Sequence, residues 1–260
     1  MKIVASVATL FVCAFALDAQ ITATLNQLTD GSSEIRIRNN SAVNVDAFAT
    51  SVNCVLHSSS GPDSPNPVIV YVDPIVDVFP AIDVRSPAPK VIGPLAPNEE
   101  RTVAQAGRAG EMFRGRFNIR LCEDRIAAAG ILADGTTTGD AALVKGLMLR
   151  RSNMLLAVET AIEKLSDAGR QGTLRNQLLE QFRSMSDSAS SRWYLPPEQQ
   201  IGQRVYQSII GKLVNLPQIL DGSPDPLATF VAEETAMLRE RRVALSESQP
   251  TLAEASLAAR

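Results

Sequence analysis

The hydrophobic pattern changes its period within one stretch of sequence, IAAAGILADGTTTGDAALV (residues 126–144). Before this stretch, apolar residues form short runs between turn residues, as in antiparallel β-strands. After Asp140, they recur at spacings of three and four, which is the period of an amphipathic helix. IAAAGILA itself could begin the first helix, because alanine favours helices, but Gly130 and the charged turn at 123–125 favour a strand. The sequence therefore predicts a β half followed by an α half.

The β half is expected to be an antiparallel sandwich over residues 20–135, because its strands are short and are separated by Gly, Pro, Asn and Ser. In EIRIRN, Ile35 and Ile37 alternate with arginines, which predicts one buried and one exposed face. A Ser-, Gly- and Pro-rich loop is expected at 58–67. The predicted strands are ITATLNQL (21–28), EIRIRN (34–39), VNVDAFATSVNCVL (43–56), VIVYVD (68–73), RTVAQA (101–106), RFNIRLC (116–122) and IAAAGILA (126–133).

The α half, residues 140–248, is expected to be a small bundle of about four helices, because each apolar stripe must be buried against another element. Helix breaks are predicted at 169–172, in the Ser-rich run 184–191 and at 221–226. Pro196 and Pro197 suit the first turn of the third helix. Residues 249–260 are expected to form a flexible tail.

The N-terminus has the features of a secretory signal peptide over residues 1–19. Lys2 supplies a positive start, IVASVATLFVCAFAL (3–17) is apolar, and Ala19 is a small residue at a cleavage point. The apolar run is shorter than the ~20 residues that span a bilayer. A retained anchor or a buried core helix is the alternative. We expect a mature chain that begins at Gln20, lacks a transmembrane segment and is periplasmic or extracellular.

Two stretches resemble bacterial extracellular immunoglobulin-like modules: IRIRNNSAVNVDAFATSV (35–52) and IGPLAPNEERTV (92–103). In those modules a strand ends in an Asn-rich turn, and a Leu-x-Pro-Gly-Glu turn leads into a later strand. Here Asn98 stands in place of that glycine, and asparagine also tolerates positive φ. The join at 127–144 is similar to that of uncharacterised secreted bacterial proteins with a β-then-α layout. The resemblance implies an immunoglobulin-like sandwich and no catalytic residue.

The composition leaves few catalytic side chains. The 260 residues include one histidine and three cysteines and carry a net charge of −3, so we expect no metal site, no cofactor and no nucleic-acid partner. His57 next to Ser58 is better explained as a loop histidine than as a catalytic pair, because neighbouring strand residues point to opposite faces. Arg150 and Arg151 interrupt the first helical stripe and are interpreted as solvated or snorkelling side chains rather than an anion site.

A disulfide is predicted between Cys54 and Cys122, because removal of the signal takes Cys13 away and leaves two cysteines in an oxidising compartment. Both lie on predicted strands. Cys122 has the opposite parity to Phe117, Ile119 and Leu121, so it faces away from them unless a bulge intervenes. Two buried free thiols are the alternative.

Two pairs of residues are candidate surface sites. Asp134 and Asp140 flank a Gly- and Thr-rich loop that could offer oxygen ligands to Ca²⁺, although Asp140 as a helix N-cap is the simpler explanation. Trp193 and Tyr194 could stack on a sugar or a Pro-rich peptide, or could anchor the start of a helix.

These features predict a non-enzymatic binding or structural protein of the bacterial envelope. Its partner would be another envelope protein or a peptide, held by a sheet edge or by the surface of the helical half. The alternative is a secreted hydrolase that uses only a carboxylate pair, which requires neither His nor Cys. A cleft with two carboxylates about 5–9.5 Å apart would indicate the hydrolase, and an apolar groove would indicate the binding protein.

Overall fold

The computed structural model confirms the predicted order of a β half followed by an α half. The predicted signal at 1–19, Trp193, Tyr194 and the tail at 249–260 lie outside the residues it describes. The described residues are 20–27, 33–58, 64–78, 93–106, 117–190, 197–217 and 225–248.

The strands form two antiparallel sheets. The first has the order β1-β2-β5 and consists of β1 (Ile21–Gln27), β2 (Ser33–Asn39) and β5 (Glu100–Ala106). The second has the order β4-β3-β6-β7 and consists of β3 (Val45–Ser58), β4 (Ser64–Val72), β6 (Phe117–Leu132) and β7 (Thr137–Gly139).

A shared hydrophobic cluster joins the two sheets. Ile21 and Ile37 from the first sheet contact Phe48, Val72 and Leu132 from the second, and all five are buried. The alternation predicted for β2 is confirmed, because its isoleucines are buried while the intervening arginines are not. Apolar burial is non-directional, so alternation alone is enough to choose which face of β2 turns inward.

Two predictions about strand ends are wrong. The charged turn predicted at 123–125 is part of β6, which runs without interruption through it. The β3–β6 register shifts at this point, from Val52 opposite Ile126 to Cys54 opposite Cys122, so the extra residues form a bulge. The loop predicted at 58–67 is shorter than expected, because β4 already begins at Ser64.

The turn that resembles an immunoglobulin-like module has the expected backbone conformation. Asn98 has a φ of 60°, so the positive φ expected at this position is confirmed. The predicted turn at 39–41 is also confirmed: the buried Asn39 amide donates to the carbonyl oxygens of Val43 (2.8 Å) and Leu95 (3.0 Å). Its Oδ1 accepts from Ser41 N and Oγ, so every polar atom of this buried amide is used.

The helices are α1 (Ala141–Gln171), α2 (Arg175–Ser190), α3 (Pro197–Gln200), α4 (Gln203–Val214) and α5 (Pro226–Glu247). The prediction of a helix break in the Ser-rich run 184–191 is wrong, because α2 continues through this run and ends at Ser190. The predicted third helix is interrupted at Gly202, where a Cβ atom would lie 2.9 Å from the carbonyl oxygen of Asn153 on α1. A residue with a side chain at position 202 would therefore clash with the backbone of α1. No helix among the described residues has the length and hydropathy to cross a membrane.

The helical half packs directly on the second sheet. Leu143 and Leu147 of α1 contact Ala47, Ala129 and Ile131 on the sheet face opposite the shared cluster. Val76, in the turn after β4, is buried among the helices.

Replacing Gly139 with alanine should destabilise the fold more than replacing Gly135. Both glycines have positive φ, 91° and 83°, so an alanine is strained at either. Only at Gly139 would the new Cβ also clash, 2.2 Å from the carbonyl oxygen of Ala128, whereas Gly135 has nothing within 4 Å. We expect Gly139→Ala to cost about 1–3 kcal/mol more than Gly135→Ala in urea unfolding. Equal losses of stability in the two variants would show that β7 can move away from Ala128 without a cost in free energy.

Candidate functional site

A buried ion pair joins the sheet to the helices. Asp73, directly after β4, accepts hydrogen bonds from Arg151 of α1, from Nε at 2.7 Å and from Nη2 at 3.3 Å. The Arg151 side chain is 1% exposed and that of Asp73 is 0% exposed. The third Arg151 nitrogen, Nη1, donates to the carbonyl oxygen of Ser248 at the end of α5. The interpretation of Arg151 as a solvated or snorkelling side chain is therefore wrong.

Arg150 is also buried, so the same interpretation is wrong for it. Its Nη2 donates to Asp77 Oδ1 at 2.8 Å, and its guanidinium carbon lies 5.0 Å from the ring centroid of Tyr71. Arg204 of α4 donates to the same Asp77 oxygen at 3.3 Å. The other oxygen, Oδ2, accepts from the backbone N–H of Asp73 at 2.9 Å. One short turn thus supplies two carboxylates to three arginines.

Tyr71 extends this network to α3. Its hydroxyl donates to Glu198, whose backbone carbonyl accepts from the Asn153 amide at 2.9 Å. Burial raises the pKa of Tyr71, and the hydrogen bond to Glu198 raises it further, so the phenol keeps its proton. A Cβ at Gly146 would lie 2.2 Å from the Tyr71 hydroxyl oxygen, so this ring packs closely on the α1 backbone.

The carboxylates of Asp73 and Asp77 both make structural contacts. Asp73 is paired with Arg151, and Asp77 with Arg150. Burial raises the pKa of nearby Asp46, and the positive charge of Arg151 opposes that change. The sequence does contain a signal for this cluster: two aspartates four residues apart after a strand, and two adjacent arginines in a helical stripe.

The candidate Ca²⁺ loop has a structural role for each aspartate. The Asp140 carboxylate accepts from the N–H groups of Ala142 (2.9 Å) and Leu143 (3.0 Å), which confirms it as the N-cap of α1. The exposed Asp134 accepts from Thr136 N and Oγ1 at 2.9 and 2.6 Å. In the part of the chain that the structure describes, no three His, Cys, Asp or Glu side chains are grouped as metal ligands.

The two predicted cysteine partners lie opposite each other in the backbone register of β3 and β6. His57 lies further along β3, opposite Asn118. Trp193 and Tyr194 fall between α2 and α3, outside the described residues.

A cleft of about 1160 Å³ lies where the end of α1 and the start of α2 meet the end of α4 and the start of α5. Leu165, Ala168 and Val231 are buried residues of its lining. Residues 218–224, between α4 and α5, lie outside the described part. The remaining described lining residues are Ser166, Gly169, Arg170, Gly172, Thr173, Leu174, Arg175, Asn176, Leu216, Pro217, Asp225, Pro226, Leu227, Ala228, Ala232, Thr235 and Arg239.

The described lining of this cleft contains three arginines and a single carboxylate, Asp225. Asp225 is the N-cap of α5 and accepts from the N–H of Leu227 at 2.9 Å. Deeper in the cleft wall, Thr235 is 6% exposed and its hydroxyl is buried without a hydrogen-bond partner among the described residues. The cleft therefore offers apolar contact and hydrogen-bond donors.

Comparisons with known proteins return no significant match, whether with family models, curated proteins or solved structures.

Proposed function

We propose that this chain is a secreted or periplasmic binding protein without enzymatic activity, and that it holds a peptide or another envelope protein in the cleft between α1, α2, α4 and α5. The observation that carries the proposal is the described lining of the cleft, which is mostly apolar and includes a few polar side chains. Binding sites for organic ligands are typically concave and mostly apolar, with a few polar groups.

The proposal includes an immunoglobulin-like sandwich for the two sheets and a small bundle for the helices. The sandwich is supported by the cluster that both sheets share and by the Asn98 turn. The bundle is supported by a continuous core that draws on α1, α2, α4 and α5.

The hydrolase alternative is disfavoured because the carboxylates of the cleft and of the arginine network already make structural contacts. Hydrolysis by a carboxylate pair needs two such groups on either side of the bond that breaks. Among the described lining residues, Asp225 alone has a carboxylate, and this carboxylate caps a helix. Asp77 is paired with Arg150, and Asp73 is paired with Arg151.

Export is tested by the mass of the protein recovered from the envelope. We expect a chain that starts at Gln20, because β1 begins at Ile21 and the Gln20 carbonyl already accepts from the N–H of Asn40 at 2.8 Å. Cleavage before Gln20 would therefore leave the sheet complete. An envelope form that retains Met1 would contradict the signal peptide.

Function is tested by capture from envelope extract with the chain from Gln20 as bait. Ala232→Trp places a bulky ring in the cleft, and Ala236→Trp makes the same change at an exposed α5 position outside the lining. A partner that is captured by the wild type and Ala236→Trp, but not by Ala232→Trp, would support the proposal. Turnover of a polysaccharide or peptide panel by the wild type would instead support the hydrolase.

A further inference from the structure

We propose that the cleft selects peptide segments that combine apolar side chains with carboxylates. This inference rests on the proposed function and specifies the chemistry of the partner. It is carried by three features of the described lining: an excess of arginines over carboxylates, apolar side chains that remain accessible, and polar side chains that can hydrogen-bond to a peptide.

The rim of the cleft is positively charged in a chain whose net charge is −3. Arg170 pairs with Asp167, and Arg175 donates to the carbonyl oxygen of Val214 at 2.9 Å. Arg239 makes no hydrogen bond or ion pair with any residue that the structure describes. A local excess of arginine attracts carboxylates and orients them through planar, paired N–H donors.

The floor accepts apolar side chains. Leu216 and Leu227 of the lining are half-buried, and Leu174 is 67% exposed, so all three keep apolar surface that a ligand can cover. A ligand side chain that covers Leu174 would remove this exposed apolar surface from water. Removing apolar surface from water favours binding by roughly 25 cal/mol per Å².

Polar groups in the lining favour a peptide over an acyl chain. Thr235 is 6% exposed, and its buried hydroxyl has no hydrogen-bond partner among the described residues. Ser166, Thr173 and Asn176 add further hydrogen-bonding side chains to the lining. The amide groups of a peptide can satisfy these donors and acceptors, whereas the methylene groups of an acyl chain cannot.

The test uses two sets of fluorescein-labelled peptides, each about ten residues long, with leucine at every third or fourth position. One set carries glutamates between the leucines, and the matched set carries glutamines. We expect the glutamate set to bind the chain from Gln20 more tightly in fluorescence anisotropy at about 50 mM salt, with the difference reduced at about 500 mM.

Variants assign this binding to the cleft. Arg239→Gln should weaken glutamate-peptide binding by about twofold to fivefold and leave glutamine-peptide binding unchanged. Arg242→Gln removes the same charge from an exposed position on the same helix, outside the lining, and should have no effect. Ala232→Trp should abolish binding of both sets, while Ala236→Trp should not.

Three results would overturn the inference. They are equal binding of both peptide sets, an equal effect of Arg239→Gln and Arg242→Gln, and preferential binding of oleate, which would indicate an acyl-chain site. None of these three results contradicts the proposed function. The proposed function is contradicted by a different result, namely capture from envelope extract that does not depend on Ala232.

Discussion

Replacing Arg151 with methionine is expected to lower the free energy of unfolding by about 3–5 kcal/mol. The substitution removes the only described ion-pair partner of Asp73, whose side chain is 0% exposed, and leaves this buried carboxylate with the N–H of Ile75 as its remaining described donor. It also frees the Ser248 carbonyl, which Arg151 binds at the end of α5. Urea unfolding of the chain from Gln20 measures the loss directly.

Two controls separate the buried charge from the loss of a long side chain. Arg170→Met removes an arginine that is 77% exposed and paired with Asp167, and should cost at most about 1 kcal/mol. The double variant Arg151→Met with Asp73→Leu removes both charges and should recover much of the stability. A loss in Arg151→Met no larger than that in Arg170→Met would show that the pair contributes nothing specific.

The Arg151 pair shows where sequence reasoning stops. Apolar residues that recur at spacings of three and four identify the side of α1 that is buried, and Leu143 and Leu165 on this side are both buried. An arginine on this side has two outcomes, solvation of its head group or burial with a partner. The choice depends on Asp73, which is 78 residues away and whose position follows from tertiary packing.

Period and turn chemistry predicted most of the strands because both are local. The alternation in β2 and the positive φ of Asn98 follow from short stretches of sequence. The bulge at 123–125 was not predicted, because three charged residues in a row also fit a turn. The residues on either side of this segment, Cys122 and Ile126, pair with β3, so the segment remains part of β6.

The cleft could not be predicted because its wall is assembled from the ends of four helices. Its lining comes from residues as far apart as Leu165 and Arg239. Helix ends are the least certain part of any period-based prediction. Leu174 illustrates this, since its spacing fits the buried stripe of α2 although the residue precedes the helix and is exposed.

A disulfide between Cys54 and Cys122 is expected to stabilise the chain from Gln20 by about 4 kcal/mol, because it closes a loop of about 70 residues. The alternation of residues along β6 argues against a bond at Cys122 only if this strand has no irregularity. The register shift between Val52 and Cys54 removes this objection, because it makes the two cysteines direct partners across β3 and β6. Opposite residues of an antiparallel pair have Cα atoms about 4.5–5.5 Å apart, within the range of about 4.4–6.8 Å that disulfides use.

Thiol counting on the denatured, unreduced chain from Gln20 tests the bond, and urea unfolding tests its effect. We expect no free thiol, a monomer on a non-reducing gel and a lower unfolding midpoint after reduction. Cys54→Ser should match the reduced protein in stability, because each lacks the closed loop in the unfolded state. The register places Asn53 and Glu123 outside the Cys54–Cys122 pairing, so the pair Asn53→Cys with Glu123→Cys in a chain lacking Cys54 and Cys122 should cross-link less readily. Two free thiols per chain, with no change in the midpoint on reduction, would leave the opposed cysteines as an unlinked pair.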